Sequence, residues 1–461
     1  MEEFMSEQTP TAEAAALNST ANPVGIDGYF GISERGSTIP TEILAGLSTF
    51  LALSYIFVVN PAILAQAGIP TAVSLFATIA ISAGATLLMG LWARLPFAVS
   101  TGLEMNGYVV FTVIAGLGFT WPQALGLVFW SGALMTIVTI ASIREKVIDS
   151  IPDSLKIGLS FSVGMFLILI ALKLSGILEY KGLMISGIGS FITPGAICLY
   201  VGLAATFALE SKRIIGSVLI SIIAVSIGYH FLAAQGLLGF SADKAAVLPT
   251  ISKDMFAGVG ALDLGAILNP KSISVVLVLF VLDFYGSVAK FIGLTLQTGL
   301  HRNGRLPGRQ QGLLIDGAGS MAASFLGTTS IVAFVESAVG IGAGARTGLS
   351  SVVCGALMAA CFLLIPFIHY IPSAATFGAL VFVGLRLCPS LEQWKKFPSI
   401  EKIALISMPL VTLATFSLDK AMLVGFALTS IGQFVQFGKM NPYLAGSTAL
   451  LALSIGLQFT F

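Results

Sequence analysis

Two acids interrupt apolar sequence in matching surroundings. Glu104 lies in PFAVSTGLEMNG (96–107) and Glu336 in GTTSIVAFVESAVG (327–340). In each stretch small polar residues and a β-prone run (FAV, SIVAF) precede the acid. Ionisable groups at bilayer depth are costly to bury and mark substrate or ion paths by default. A half-helix starting beside each acid would turn its unpaired N–H groups and positive dipole end toward the carboxylate and partly compensate it. A third element is VLVLFVLDFYGSVAKFIG (276–293), where Asp283, Ser287 and Lys290 recur at i, i+4 and i+7. At 100° per residue they fall within about 60° of one helix face. Such groups suit the binding of a small polar solute and the exchange of a proton. The alternative for Lys290 is a structural pair with an acid, Glu104 or Asp283, that holds two helices together.

The elements that must carry these residues are membrane helices. The 461 residues are 56% hydrophobic and only 10% charged, whereas soluble domains carry about 25% charged residues. Mean hydropathy is +0.95. Apolar stretches of roughly 17 to 25 residues follow one another from Thr41, each long enough to cross about 30 Å of hydrocarbon. The coarse helix reading, which includes shorter segments such as 336–345, is 41–60, 71–92, 102–117, 122–142, 155–177, 193–209, 213–233, 272–297, 311–326, 336–345, 347–369, 372–388, 401–417 and 420–437. A further stretch, 443–459, reads as an interfacial helix or a fifteenth crossing. The expected fold is an all-α polytopic membrane protein of about fourteen transmembrane helices.

The remaining composition mostly excludes. A net charge of +1 points to no nucleic acid and no acidic partner. Cys198, Cys354, Cys361 and Cys388 show no CxxC spacing, so no disulfide and no metal site is expected, and no cofactor. HExxH, GxSxG and CxxC motifs are missing from any plausible context, and His230, His301 and His369 do not cluster, which argues against a membrane enzyme. Residues 1–28 are polar and lack an apolar signal core, so they read as a disordered cytoplasmic tail.

With a cytoplasmic N-terminus, Arg94, the REK run at 144–146, Lys212 and Arg213, Arg302, Arg305 and Arg309, Arg346, and Lys395 and Lys396 fall on one side. The opposite loops 60–70 and 116–123 carry no Lys or Arg, which is the positive-inside pattern of a plasma-membrane (bacterial inner-membrane) protein. The longest outside loop, 234–270, divides the chain into 29–233 and 271–461, seven helices each. An odd number per half makes the halves inverted repeats, and such folds place the substrate site near the midplane at broken helices. The third and tenth segments, carrying Glu104 and Glu336, are those broken helices.

The residues resemble the xanthine/uracil permease superfamily of nucleobase–cation symporters, in particular its AzgA-like purine branch. The resemblance rests on GYFGISERGSTIPTEILAGLSTFLALSYIFVVNPAIL (28–64), PFAVSTGLEMNGYVVFTV (96–113) and GTTSIVAFVESAVGIGAGARTGLSSVVCG (327–355), and runs from Gly28 over essentially the whole chain. It implies two inverted repeats, a core domain of segments 1–4 and 8–11, a gate domain of 5–7 and 12–14, uptake of purine bases with protons, and a possible homodimer. It also implies that Glu336 binds the base or couples the proton, that Asp283 is the first acid of the eighth-helix motif, and that Asn106 is the asparagine of the third-segment motif. This chain departs from the pattern with Glu104 in place of glycine, Gly286 in place of a second acid, and Ala289 and Lys290 in place of glycine and threonine.

The expected function is therefore secondary transport of a purine base through the bilayer by proton symport. A purine needs edge acceptors and donors and cover for two apolar faces. Glu336, Glu104, Asp283, Asn106 and Thr329 can supply the first, and Phe97, Tyr108, Tyr285 or Phe334 the second. Proton coupling would involve Glu336, Asp283, Ser287 and Lys290. The alternative is a carrier of the same fold for another polar or cationic solute, a uniporter or exchanger in which Lys290 is an internal cation.

Overall fold

The computed structural model describes residues 25–142, 144, 152–181, 184–237, 239–240, 253–298, 307–368, 370–438 and 441–460. Most of the predicted tail, residues 241–252 of the predicted connecting loop, and the basic stretch with His301, Arg302 and Arg305 lie outside these residues.

The chain is mostly helical, as its composition requires. Among the described residues nine helices are long and apolar enough to cross a membrane. Three shorter apolar helices, Leu103–Ile114, Gly348–Leu364 and Pro442–Leu457, accompany them. The first predicted segment is two helices, α1 (Ile39–Leu53) and α2 (Ile56–Ala65), meeting at Ser54 and Tyr55. Pro61 within α2 lacks the N–H that would continue the ladder. α3 (Thr71–Leu88) then widens into a π-helical turn at Met89–Ala93.

After Pro96 the chain is extended as β1 (Val99–Thr101), and the third segment resumes as α4 (Leu103–Gly107), passing into π-helical turns over Tyr108–Ile114. α5 (Trp121–Ile140) and α6 (Asp153–Leu174) follow. The run from 178 to 188, expected to be loop, is an antiparallel hairpin of β2 (Leu178–Lys181) and β3 (Met184–Ile188). α7 (Pro194–Ser211) and α8 (Ser217–Ala234) complete the first half.

The second half begins with the longest helix, α9 (Pro270–Thr298), then α10 (Arg309–Leu326), β4 (Ile331–Ala333) and α11 (Ser337–Gly342). α12 (Gly348–Ala360), α13 (Phe377–Arg386), α14 (Ser399–Thr415), α15 (Leu418–Phe437) and α16 (Pro442–Thr460) follow.

Lipid tails are as apolar as the helices, so helix association depends on close packing of small residues. α3 and α12 illustrate this: a Cβ added at Gly348 would sit 2.1 Å from the Gly90 carbonyl oxygen, and one at Gly90 2.5 Å from that of Gly348. α6 and α13 cross in the same way, with a Cβ at Gly164 falling 2.4 Å from the Gly384 oxygen. The α1–α12 contact has a charged fastener. The buried Glu42 carboxylate accepts from the backbone N–H groups of Arg346 at 2.8 Å, Ser350 at 3.3 Å and Thr347 at 3.4 Å, and so satisfies the head of α12.

Candidate functional site

The two breaks meet. β1 and β4 pair antiparallel in the register Val99↔Ala333, Ser100↔Val332 and Thr101↔Ile331. Phe334 N–H donates to Ala98 O at 2.9 Å and Gly102 N–H to Ser330 O at 3.0 Å, extending the ribbon at both ends. Extended backbone at membrane depth must find partners inside the protein. Here each break supplies them to the other. The outer side of β1 is held by α3, where the Ser82 and Ser100 hydroxyls lie 2.7 Å apart and Thr86 Oγ1 donates to Val99 O at 2.9 Å. Short helices leave both ends of this ribbon, with Glu104 in the first turn of α4 and Glu336 at the head of α11.

A cavity of about 760 Å³, open space at its mouth included, lies beside these helix ends. Its walls are mostly aliphatic, from Leu103, Leu159, Val163 and Leu282 among others, with Phe334 as an aromatic face. Its polar groups are Tyr55, Glu104, Ser160, Lys290 and Glu336. The Lys290 ammonium donates to Glu104 Oε1, and the Tyr55 hydroxyl donates to Glu336 Oε1 at 2.6 Å. Tyr55 and Glu336 also border a second cavity, lined by Glu210, Arg213, Ser217 and Arg386, where Arg386 pairs with Glu210 at 3.0 Å.

Behind the cavity the polar groups are engaged with one another. Asn106 donates its amide N–H to Asn60 Oδ1 and accepts from Thr329 Oγ1; Asn60 in turn donates to Thr78 at 2.6 Å and to Thr328 at 3.2 Å. Where α9 meets α10, Asp316 accepts from Ser287 at 2.5 Å and from Arg144 at 2.6 Å, and Arg144 also donates to Leu313 O at 3.2 Å. Among the described residues Asp283 accepts only a long 3.5 Å bond from Ser320 through one oxygen, and its other oxygen has no hydrogen-bond partner.

Of the predicted site residues, Glu104, Glu336, Lys290 and Phe334 line the cavity together. Asp283, Ser287, Asn106 and Thr329 lie outside its lining, in the buried networks. Tyr285 bonds Ser447 at 2.5 Å and stacks edge-on against Phe426, while Phe97 packs edge-on against Phe291. The polar stripe of α9 therefore splits, with Asp283 and Ser287 turned to α10 and Lys290 to the cavity.

Four participants lay outside the sequence reading: Tyr55, Asn60, Asp316 and the buried role of Arg144. By sequence Arg144 falls among the loop cations, yet it is fully buried and paired with Asp316. Asp316 carried a usable signal, a lone acid in the small-residue run LLIDGAGSM. Tyr55 carried none, since an aromatic residue in an apolar helix is ordinary.

A cavity built on two paired helix breaks is the design of a membrane transporter, and the fold is one. The chain aligns over 84% of its length with 96% of the transmembrane domain of the cyanobacterium bicarbonate transporter BicA, at a TM-score of 0.60 and 14% identity. It belongs to the xanthine/uracil permease family (Xan_ur_permease, Permease family), whose model matches residues 40–451. It is 30% identical to the adenine permease AdeQ of Escherichia coli over 92% of this chain and 95% of that protein. It is 31% identical to the guanine/hypoxanthine permease PbuO of Bacillus subtilis over 86% of this chain and 92% of that one.

Proposed function

We propose that this permease imports purine nucleobases of the adenine, guanine and hypoxanthine class by proton symport with alternating access. The observation that carries the reading is the convergence of Glu336, Glu104 and Lys290 on one otherwise apolar cavity beside the paired breaks. The names of the E. coli and B. subtilis relatives supply the substrate class. In this reading Glu336 accepts a ring N–H and carries the coupled proton, and Phe334 covers one face of the base. Asn106 and Thr329 hold the ribbon that positions Glu336. Asp283 and Ser287 set the buried charge balance on α9, while Tyr285 and Phe97 anchor the walls.

The architecture that fits is fourteen helices in two inverted repeats, 29–233 and 271–461, divided into core and gate domains. The pairing of β1 with β4, from corresponding places in the two halves, supports it. The N-terminus is cytoplasmic in the plasma membrane, and the carrier forms a homodimer. The test is uptake of radiolabelled adenine, guanine and hypoxanthine in cells lacking their own purine carriers. Background-level uptake of all three sinks the proposal. A second reading, uniport or exchange of the same solutes, is favoured by the Lys290–Glu104 pair, because a tethered ammonium already occupies a place where a coupling cation would be bound. Retained uptake in the presence of a protonophore would select it.

A further inference from the structure

We infer that Lys290 makes this site selective for 6-oxopurines over 6-aminopurines, a specificity that rests on the purine-transport reading and goes beyond it. Lys290 is the cationic side chain of the cavity lining. It is also the more accessible half of its pair, its side chain keeping 19% exposure against 9% for Glu104. An ammonium has three N–H donors, and Glu104 Oε1 takes one. Among the described residues the other two meet no acceptor, which leaves them for a solute that presents acceptors.

Beside the pair the cavity wall is bare backbone. Gly286, one turn before Lys290, also lines the cavity, and a Cβ added there would lie 3.7 Å from Glu104 Oε1. Glu104 Oε1 thus sits in ordinary contact range of α9, and a solute meets the pair from the cavity side. Hypoxanthine and guanine carry two adjacent acceptors, the C6 carbonyl oxygen and N7, which a lysine reads together. Adenine replaces the carbonyl by an amino group, so donor faces donor. The N1 position reinforces the choice: an oxopurine has an N1–H for the cavity carboxylate Glu336, whereas adenine presents a lone pair. A site whose buried polar group is left unmatched by an analogue rejects it strongly. Glu104 is here a positioning residue that holds the ammonium against the wall and balances its charge.

The test is uptake of tritiated hypoxanthine into proteoliposomes, with unlabelled guanine, hypoxanthine and adenine as competitors. For the wild type, guanine and hypoxanthine should compete at concentrations at least about tenfold lower than adenine. The charge-balanced double variant Lys290→Met/Glu104→Gln should narrow that ratio to within about threefold, chiefly by weakening the oxopurines. Lys290→Arg, which keeps donors in place, should retain the preference. Equal competition by adenine in the wild type overturns the inference and leaves purine transport standing. A double variant that reconstitutes normally and still discriminates also overturns it. If no purine is taken up at all, the functional reading beneath it fails instead.

Discussion

The Lys290 ammonium on α9 meets the Glu104 carboxylate at the head of α4 across 186 residues of sequence, and the two close one wall of the cavity. Glu104 is buried, Lys290 is largely so, and the two are in contact. A lone buried charge costs several kcal/mol, and that cost falls when the ammonium and the carboxylate meet.

That pairing is measurable. Lys290→Met and Glu104→Gln should each destabilise the detergent-solubilised protein by roughly 3 kcal/mol, because each strands its partner. The double variant should recover most of the loss. A double-mutant cycle on thermal unfolding is expected to give a coupling energy above about 1.5 kcal/mol. Additive losses would mean that the two groups do not interact in the membrane.

Glu336→Gln keeps the size of the side chain and an oxygen for the Tyr55 hydroxyl, but removes the charge. Uptake should fall by at least about fiftyfold with the amount of protein in the membrane unchanged, as expected for an intramembrane acid on the solute path. Tyr55→Phe should cost less, about fivefold to tenfold, the value of one hydrogen bond. Initial rates set against the level of a fluorescent fusion check both, and wild-type uptake by the glutamine variant would move the site elsewhere.

Coupling can be separated from binding. If Glu336 carries the symported proton, accumulation of base should rise when the outside is made more acidic than the inside and collapse with a protonophore. Glu336→Gln should then fail to concentrate substrate in either condition. Accumulation that follows a sodium gradient instead would exclude the proton.

Glu42 is not part of the cavity lining but holds the head of α12. Replacing it with alanine leaves three backbone donors without their carboxylate, which should lower stability by about 2 kcal/mol. Affinity for substrate should be unaffected in the protein that remains folded. Thermal unfolding combined with a binding assay distinguishes this fastening role from a part in transport.

The acids were legible in the sequence because a carboxylate is conspicuous among apolar residues, and the matched surroundings of Glu104 and Glu336 announced a shared location. The i, i+4, i+7 spacing likewise placed Asp283, Ser287 and Lys290 on one face. Their partners were not legible. A stripe about 60° wide still touches more than one neighbour, so Ser287 reaches Asp316 while Lys290 reaches Glu104. Periodicity fixes the face, and tertiary contact fixes the destination. The same limit hid the β1–β4 ribbon, since an extended run advertises unsatisfied backbone without naming its partner. It also hid Arg144, which by sequence position alone is indistinguishable from a loop cation.

The ribbon has a consequence for how the protein is made. Val99–Thr101 leaves the ribosome roughly 230 residues before its partner Ile331–Ala333, and at about 5–20 residues per second that is a wait of roughly 10 to 50 s. Through that interval the backbone of the first break has no strand to bond, in a setting where each unsatisfied group costs several kcal/mol. The nascent first half must therefore keep this stretch wet, or sheltered by the insertion machinery, until synthesis of the second half brings the matching strand. The transport cavity is thus among the last parts of the molecule to come into being, and a chain truncated before residue 331 would reach the membrane with its helices but without a site.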